Sequence, residues 1–94
     1  MKLSDFKLME TTVPKGVQVV LDFDKYELSI VKNEVSYGNK KGLYEIGVFK
    51  NGVMEEMPGI TNDNDTVRGY LTEEDVNGII KKMHLVSGAD PVQI

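Results

Sequence analysis

Valine and isoleucine dominate the apolar residues of this 94-residue chain, so a sheet has to account for most of its fold. Twelve valines and six isoleucines stand against a single alanine, Ala89. β-Branched side chains favour the pleated, half-buried surface of a sheet. A chain of this length buries one modest core. The sequence therefore predicts one domain, residues 1–94, built mainly from strands.

Alternating apolar and polar residues predict a first hairpin. Val17 to Phe23 places every second side chain on one face, and Tyr26 to Lys32 repeats the alternation. Asp24 and Lys25 lie between the two stretches. A short polar interruption between two alternating runs is typical of a tight hairpin turn.

An Asn-Gly pair predicts a second hairpin. Asn51 and Gly52 supply the two positive-φ residues of a type I′ turn. Leu43 to Lys50 is therefore expected to pair with Val53 to Met57. A two-residue turn would set Phe49 opposite Met54 and Ile46 opposite Met57.

One helix is signalled near the C-terminal end. Thr72 is suited to the N-cap, with Asp75 three residues later, and Ser87-Gly88 is suited to the stop. An apolar stripe at helical spacing follows the cap: Val76, Ile79, Ile80 and Met83. Val67 to Leu71 is expected to be a short extended piece, and Ala89 to Ile94 an irregular tail. The prediction is an α+β fold: an antiparallel sheet of about four strands in two hairpins, with one C-terminal helix packed on one face.

The side chains that most enzymes and metal sites use are scarce. There is no cysteine and only one histidine, His84, which a helix C-terminus alone would favour. We therefore expect no catalytic residue, no metal site and no cofactor. An enzymatic alternative would need a carboxylate pair such as Asp22 with Asp24 or Glu27. No stretch is apolar enough for a membrane span or a signal peptide, which predicts a cytoplasmic protein.

Negative charge is concentrated in one part of the chain. Residues 54–75 contain seven carboxylates and one cation, Arg68, whereas the whole chain has a net charge of −4. Asp63, Asp65 and Glu74 have the offsets of calcium ligands, but Arg68 stands where a calcium loop needs glycine. A solvated turn is the favoured interpretation. The acidic balance also disfavours direct binding of nucleic acid.

Two segments resemble small uncharacterised proteins encoded by bacteriophages and prophages. These are Gly42 to Gly52, GLYEIGVFKNG, and Val67 to Met83, VRGYLTEEDVNGIIKKM. In those proteins a similar strand, a turn and a similar helix start recur. The resemblance implies an accessory phage-type protein inside a bacterial host cell.

The first functional hypothesis is a non-enzymatic module that binds a host or phage protein through its acidic segment. The expected contact residues are Glu55, Glu56, Asp63, Asp65 and Arg68. Exposed strand edges, or the sheet face opposite the helix, would allow a homodimer. The alternative is a nucleic-acid-associated protein that uses the loop carrying Lys40 and Lys41.

Overall fold

Three long strands form the centre of the molecule, and short strands flank them on both sides. The computed structural model describes residues 1–94. Its elements are β1 Met9–Thr12, β2 Lys15–Asp22, β3 Glu27–Asn33, β4 Tyr44–Lys50, β5 Val53–Met54, β6 Val67–Leu71, α1 Glu73–Ser87 and β7 Val92–Gln93. Two 3-10 turns, Leu3–Asp5 and Asn39–Lys41, complete the list. The α+β class and the antiparallel sheet with one C-terminal helix are confirmed.

The sheet has seven strands, so the expected number of about four was too low. The three long strands lie side by side in the order β2, β3, β4. The outer edge of β2 pairs with β1 and β7. The outer edge of β4 pairs with β5 and β6. Val67 to Leu71, expected as a short extended piece, is β6, whereas β1 and β7 were missed because four and two residues are too few for alternation to stand out. The tail expected to be irregular contains β7, in which Val92 pairs with Asp22.

The first predicted hairpin is confirmed as β2 and β3. Val19 faces Ile30 and Leu21 faces Leu28 across it. Asp24 and Lys25 form the tight turn as predicted, since Phe23 N–H donates to the Tyr26 carbonyl at 2.8 Å and closes it.

The second hairpin is confirmed only next to its turn. Asn51 and Gly52 have φ values of 52° and 78°, and Phe49 faces Met54 as predicted. The pairing of Ile46 with Met57 is wrong, because β5 ends at Met54 and Ile46 instead faces Arg68 of β6. Met57 turns into the core, where it is 8% exposed, and this takes the chain away from β4.

The core fills the space between one sheet face and α1. Sixteen buried apolar residues form it: Leu3, Val19, Leu21, Phe23, Leu28, Ile30, Tyr44, Ile46, Val48, Met57, Ile60, Leu71, Val76, Ile79, Ile80 and Met83. The four helix residues among them are those of the predicted stripe. The helix at 15 residues is too short and too polar to cross a membrane.

The predicted N-cap of α1 is present. Asp75 N–H donates to Thr72 Oγ1 at 3.1 Å, and Thr72 N–H donates to Asp75 Oδ2 at 3.0 Å. The backbone hydrogen bond from Thr72, with help from its hydroxyl and from the charge of Arg68, lowers the pKa of Asp75 below its ordinary value. A lowered pKa in the folded state means that the ionised carboxylate stabilises the fold.

We expect this stabilisation to depend on pH. It is fully present above the pKa of the unfolded chain, near about 4, and is lost as the pH falls through the lower pKa of the folded state. Asp75→Asn should therefore reduce the free energy of unfolding at pH 7, with the gap from wild type closing in acid. Urea denaturation at several pH values measures this gap. A gap that stays constant down to pH 2 would show that the charge has no part in the cap.

Candidate functional site

The segment Glu55–Thr66, here called the acidic loop, joins β5 to β6 and is anchored in the core. Ile60 and Thr61 are 2% and 4% exposed. Thr61 Oγ1 accepts the Met57 N–H at 2.9 Å and lies 3.2 Å from the Met57 carbonyl. The acidic loop is thus a turn whose base is buried. The exposed residues of the loop, here called its rim, are held in place by this buried base.

Two carboxylates of the acidic loop accept backbone N–H groups within the loop. Glu56 Oε1 accepts the Asn64 N–H at 3.3 Å, and Asp65 Oδ1 accepts the Thr66 N–H at 2.7 Å. The expected contact residues Glu55, Glu56, Asp63 and Asp65 therefore belong to one folded loop. Two of the four, Glu56 and Asp65, also support its backbone.

Arg68, the fifth expected contact residue, lies apart from this loop. It is on β6 opposite Ile46, on the sheet face that carries the helix. Its charge contributes to the lowered pKa of Asp75 at the start of α1. The charge of Arg68 therefore favours the ionised form of Asp75 at the start of α1. Arg68 forms no ion pair with a carboxylate of the acidic loop.

The carboxylates of the acidic loop are not neutralised by neighbouring cations. The molecule contains one ion pair within 4 Å, between His84 Nδ1 and Asp90 Oδ1 at 3.3 Å, near the C-terminal end of α1. Lys82 reaches the acidic loop, but its Nζ donates to the Gly59 carbonyl at 3.2 Å. No three carboxylate or imidazole groups are arranged to hold a metal ion. The loop thus presents a fixed negative surface to solvent.

A second surface forms where the β3–β4 connection meets β6, and sequence reasoning missed half of it. Tyr44 pairs with Leu71, and Ile46 pairs with Arg68. Between these two pairs, one residue of β4 lies opposite two residues of β6, which defines a β-bulge. Tyr70 lies in the bulge, and its N–H donates to the Tyr37 carbonyl at 3.2 Å. The sequence had indicated only the loop containing Lys40 and Lys41. The bulge places Tyr70 of β6 beside Tyr37 of that loop.

Two glycines allow the backbones to meet at this point. A Cβ on Gly69 would overlap the Tyr37 side chain, and one on Gly38 would lie 2.9 Å from Tyr70 Cα. Gly38 also has a φ of 92°, in the left-handed region that favours glycine. Glu45 Oε1 accepts the Tyr37 N–H at 2.7 Å. The close approaches at the two glycines and the hydrogen bonds of Tyr37 therefore fix the β3–β4 connection against the bulge.

Val35, Tyr37, Lys40, Lys41 and Tyr70, here called the tyrosine surface, line one hollow of about 390 Å³. Val35, Tyr37 and Tyr70 are 73%, 60% and 59% exposed. Tyr70 has a φ of 58°, a conformation that costs a residue with a Cβ about 1–2 kcal/mol. The fold thus places an exposed aromatic ring on a strained backbone position.

The sheet face opposite the helix is partly apolar. Gly47 lies at its centre, where a Cβ would be 3.4 Å from Met54 Cε and 3.5 Å from Val67 Cγ1. Val20 and Phe49 share this face and are partly exposed. No segment of the chain packs across this face as α1 does across the other. It is a surface on which a second copy would find apolar side chains.

The chain matches no protein-family model, no curated protein and no solved structure.

Proposed function

We propose that this chain is a non-enzymatic interaction module that binds a positively charged protein surface through the acidic loop. The proposal includes the setting that the sequence resemblance implies, an accessory phage-type protein acting on a host or phage protein in the bacterial cytoplasm. The contact residues are Glu55, Glu56, Asp63 and Asp65. Arg68 has the separate role of placing a cation near the start of α1.

The observation that carries this proposal is that the acidic loop is both anchored and unpaired. Ile60 and Thr61 fix its base, so little conformational entropy has to be lost when a partner binds the rim. Its carboxylates have no cation within 4 Å. At physiological salt the screening length is about 8 Å, so neighbouring carboxylates act together on an approaching cation. A field of one sign speeds the encounter with a surface of the opposite sign.

Affinity capture from bacterial lysate, followed by mass spectrometry, tests the proposal. The bait is the full chain, compared with a variant carrying Glu55→Lys and Asp63→Lys. These two carboxylates accept no hydrogen bond, so their reversal leaves the turn intact. We expect a basic protein that the wild type retains and the variant loses. Failure of the wild type to retain any basic protein would contradict the proposal.

The homodimer expected from the sequence stays a prediction, and the partly apolar sheet face around Gly47 is the surface for it. A self-complementary contact would bury Val20, Phe49 and Val67 against their copies. Light scattering during size-exclusion chromatography at micromolar concentrations should then give twice the mass of 10.5 kDa. Phe49→Lys should return the mass to that of the monomer. A monomer at all concentrations would end this prediction.

A further inference from the structure

We propose that the tyrosine surface is a second binding site, which takes an acidic peptide segment with apolar side chains from a protein partner. The site lies at the N-terminal end of β4, where Tyr44 pairs with Leu71 of β6. The acidic loop starts and ends beside Val48 of β4, where Glu55 N–H donates to the Val48 carbonyl and Val48 N–H donates to the Thr66 carbonyl, about 13 Å along the strand from Tyr44. The inference therefore concerns a surface separate from the acidic loop and does not depend on its function.

The tyrosine surface is organised before any ligand binds. The backbone hydrogen bond from Tyr70 to Tyr37 and the bond from Tyr37 N–H to Glu45 tie the connection to the sheet. Leu43 N–H donates to the Gly38 carbonyl at 3.0 Å, which closes the loop that carries Lys40 and Lys41. A site with a fixed backbone loses less entropy on binding than a flexible loop would.

The backbone at Tyr70 indicates that the ring serves something other than folding. A φ of 58° is unfavourable for tyrosine and relaxed for glycine. The ring is 59% exposed, so its burial does not offset the strain. Strained positions that persist in a fold cluster at binding sites. Tyrosine is also among the residues that contribute most energy at protein interfaces.

The chemistry of the surface favours an acidic peptide over the other ligands. Val35, Tyr37 and Tyr70 offer an apolar floor, and Lys40 and Lys41 offer two cations with no carboxylate within 4 Å. Glu34 also lines the hollow, but its carboxylate accepts the Lys15 N–H, and that of the neighbouring Glu45 accepts the Tyr37 N–H.

Single-stranded nucleic acid would also find stacking rings here, but it requires a positively charged groove along its backbone. This chain has a net charge of −4 and only two lysines at the site. A peptide with a few carboxylates beside apolar residues needs no more than those two cations.

Selection from a random 12-residue peptide library displayed on phage tests the inference. The targets are the wild-type chain, Tyr70→Gly, and the double variant Lys40→Glu with Lys41→Glu. A double variant Lys7→Glu with Lys81→Glu is the control, because it makes the same charge change elsewhere on the surface. We expect the wild type and the control to enrich peptides with Asp or Glu next to aromatic or aliphatic residues. The other two variants should bind those peptides at least tenfold more weakly.

The melting temperature separates a binding role from a structural one. Tyr70→Gly removes the strain, so its melting temperature should equal or exceed that of wild type while peptide binding is lost. The inference is overturned if no acidic peptides are enriched, or if enriched peptides bind the Tyr70→Gly variant equally well. It is also overturned if a 20-nucleotide oligo-dT competes for the site at physiological salt, since the ligand would then be nucleic acid.

Discussion

Replacing Ile46 with alanine should lower the free energy of unfolding by about 3–4 kcal/mol, more than any other prediction made for this fold. Ile46 is 0% exposed, and its strand β4 pairs with β3 on one side and with β6 on the other. Truncation removes buried methyl and methylene groups and leaves a cavity that a central strand cannot close by moving. A domain of this size has a total stability of about 5–10 kcal/mol, so much of it would be lost.

Urea denaturation followed by circular dichroism measures this effect, and Ile94→Ala is the matched control. The Ile94 side chain is 68% exposed, so the same truncation should change the stability by less than about 0.5 kcal/mol. If Ile46→Ala lost no more than Ile94→Ala, the core would not lie between this sheet face and α1.

Reversing Glu55 and Asp63 to lysine should slow association with the captured basic partner by at least about tenfold at low salt. The two changes bring the net charge from −4 to zero and remove the field that steers the partner. They should leave the melting temperature almost unchanged, because neither carboxylate accepts a hydrogen bond. Reversing Glu56 and Asp65 would also release the Asn64 and Thr66 N–H groups, so those changes would confuse a loss of binding with a loss of structure.

Glu10→Lys with Thr12→Lys and Val13→Lys is the control for this experiment. It changes the net charge by the same amount at the opposite edge of the sheet, on β1 and the turn after it, where the three side chains are exposed and accept no hydrogen bond. If binding depends on the position of the charges, the control should retain most of the wild-type association rate. Equal slowing by both variants would mean that net charge alone matters.

The parts of the fold that follow from local chemistry could be predicted from the sequence. Thr72 with Asp75 marks the start of α1, and Asn51-Gly52 marks a turn, because each pattern satisfies a local geometric requirement. The alternation in β2 and β3 identified the buried face, since Val19 and Leu21 are both buried. Each of these signals lies within a few neighbouring residues.

The parts that depend on contacts between distant segments could not be predicted. The pairing of β7 with β2 joins residues some 70 positions apart through one ladder of two residue pairs. The bulge at Gly69 and Tyr70 packs against the β3–β4 connection, a contact between segments some 30 residues apart in the chain. The tyrosine surface therefore could not be predicted from the sequence, although the loop with Lys40 and Lys41 could. The concentration of negative charge in the acidic loop could be read from the sequence. The burial of Ile60 and Thr61, which anchors the loop, could not.

The association rate of the wild-type chain with its captured partner, measured as a function of salt concentration, tests the central claim most directly. Between about 10 and about 100 mM salt the screening length falls from about 30 to about 10 Å. If the acidic loop steers a basic partner, the rate constant should fall several-fold over this range, and the Glu55→Lys, Asp63→Lys variant should show a much flatter dependence. A wild-type rate that does not change with salt would contradict the claim that this molecule acts through its acidic loop.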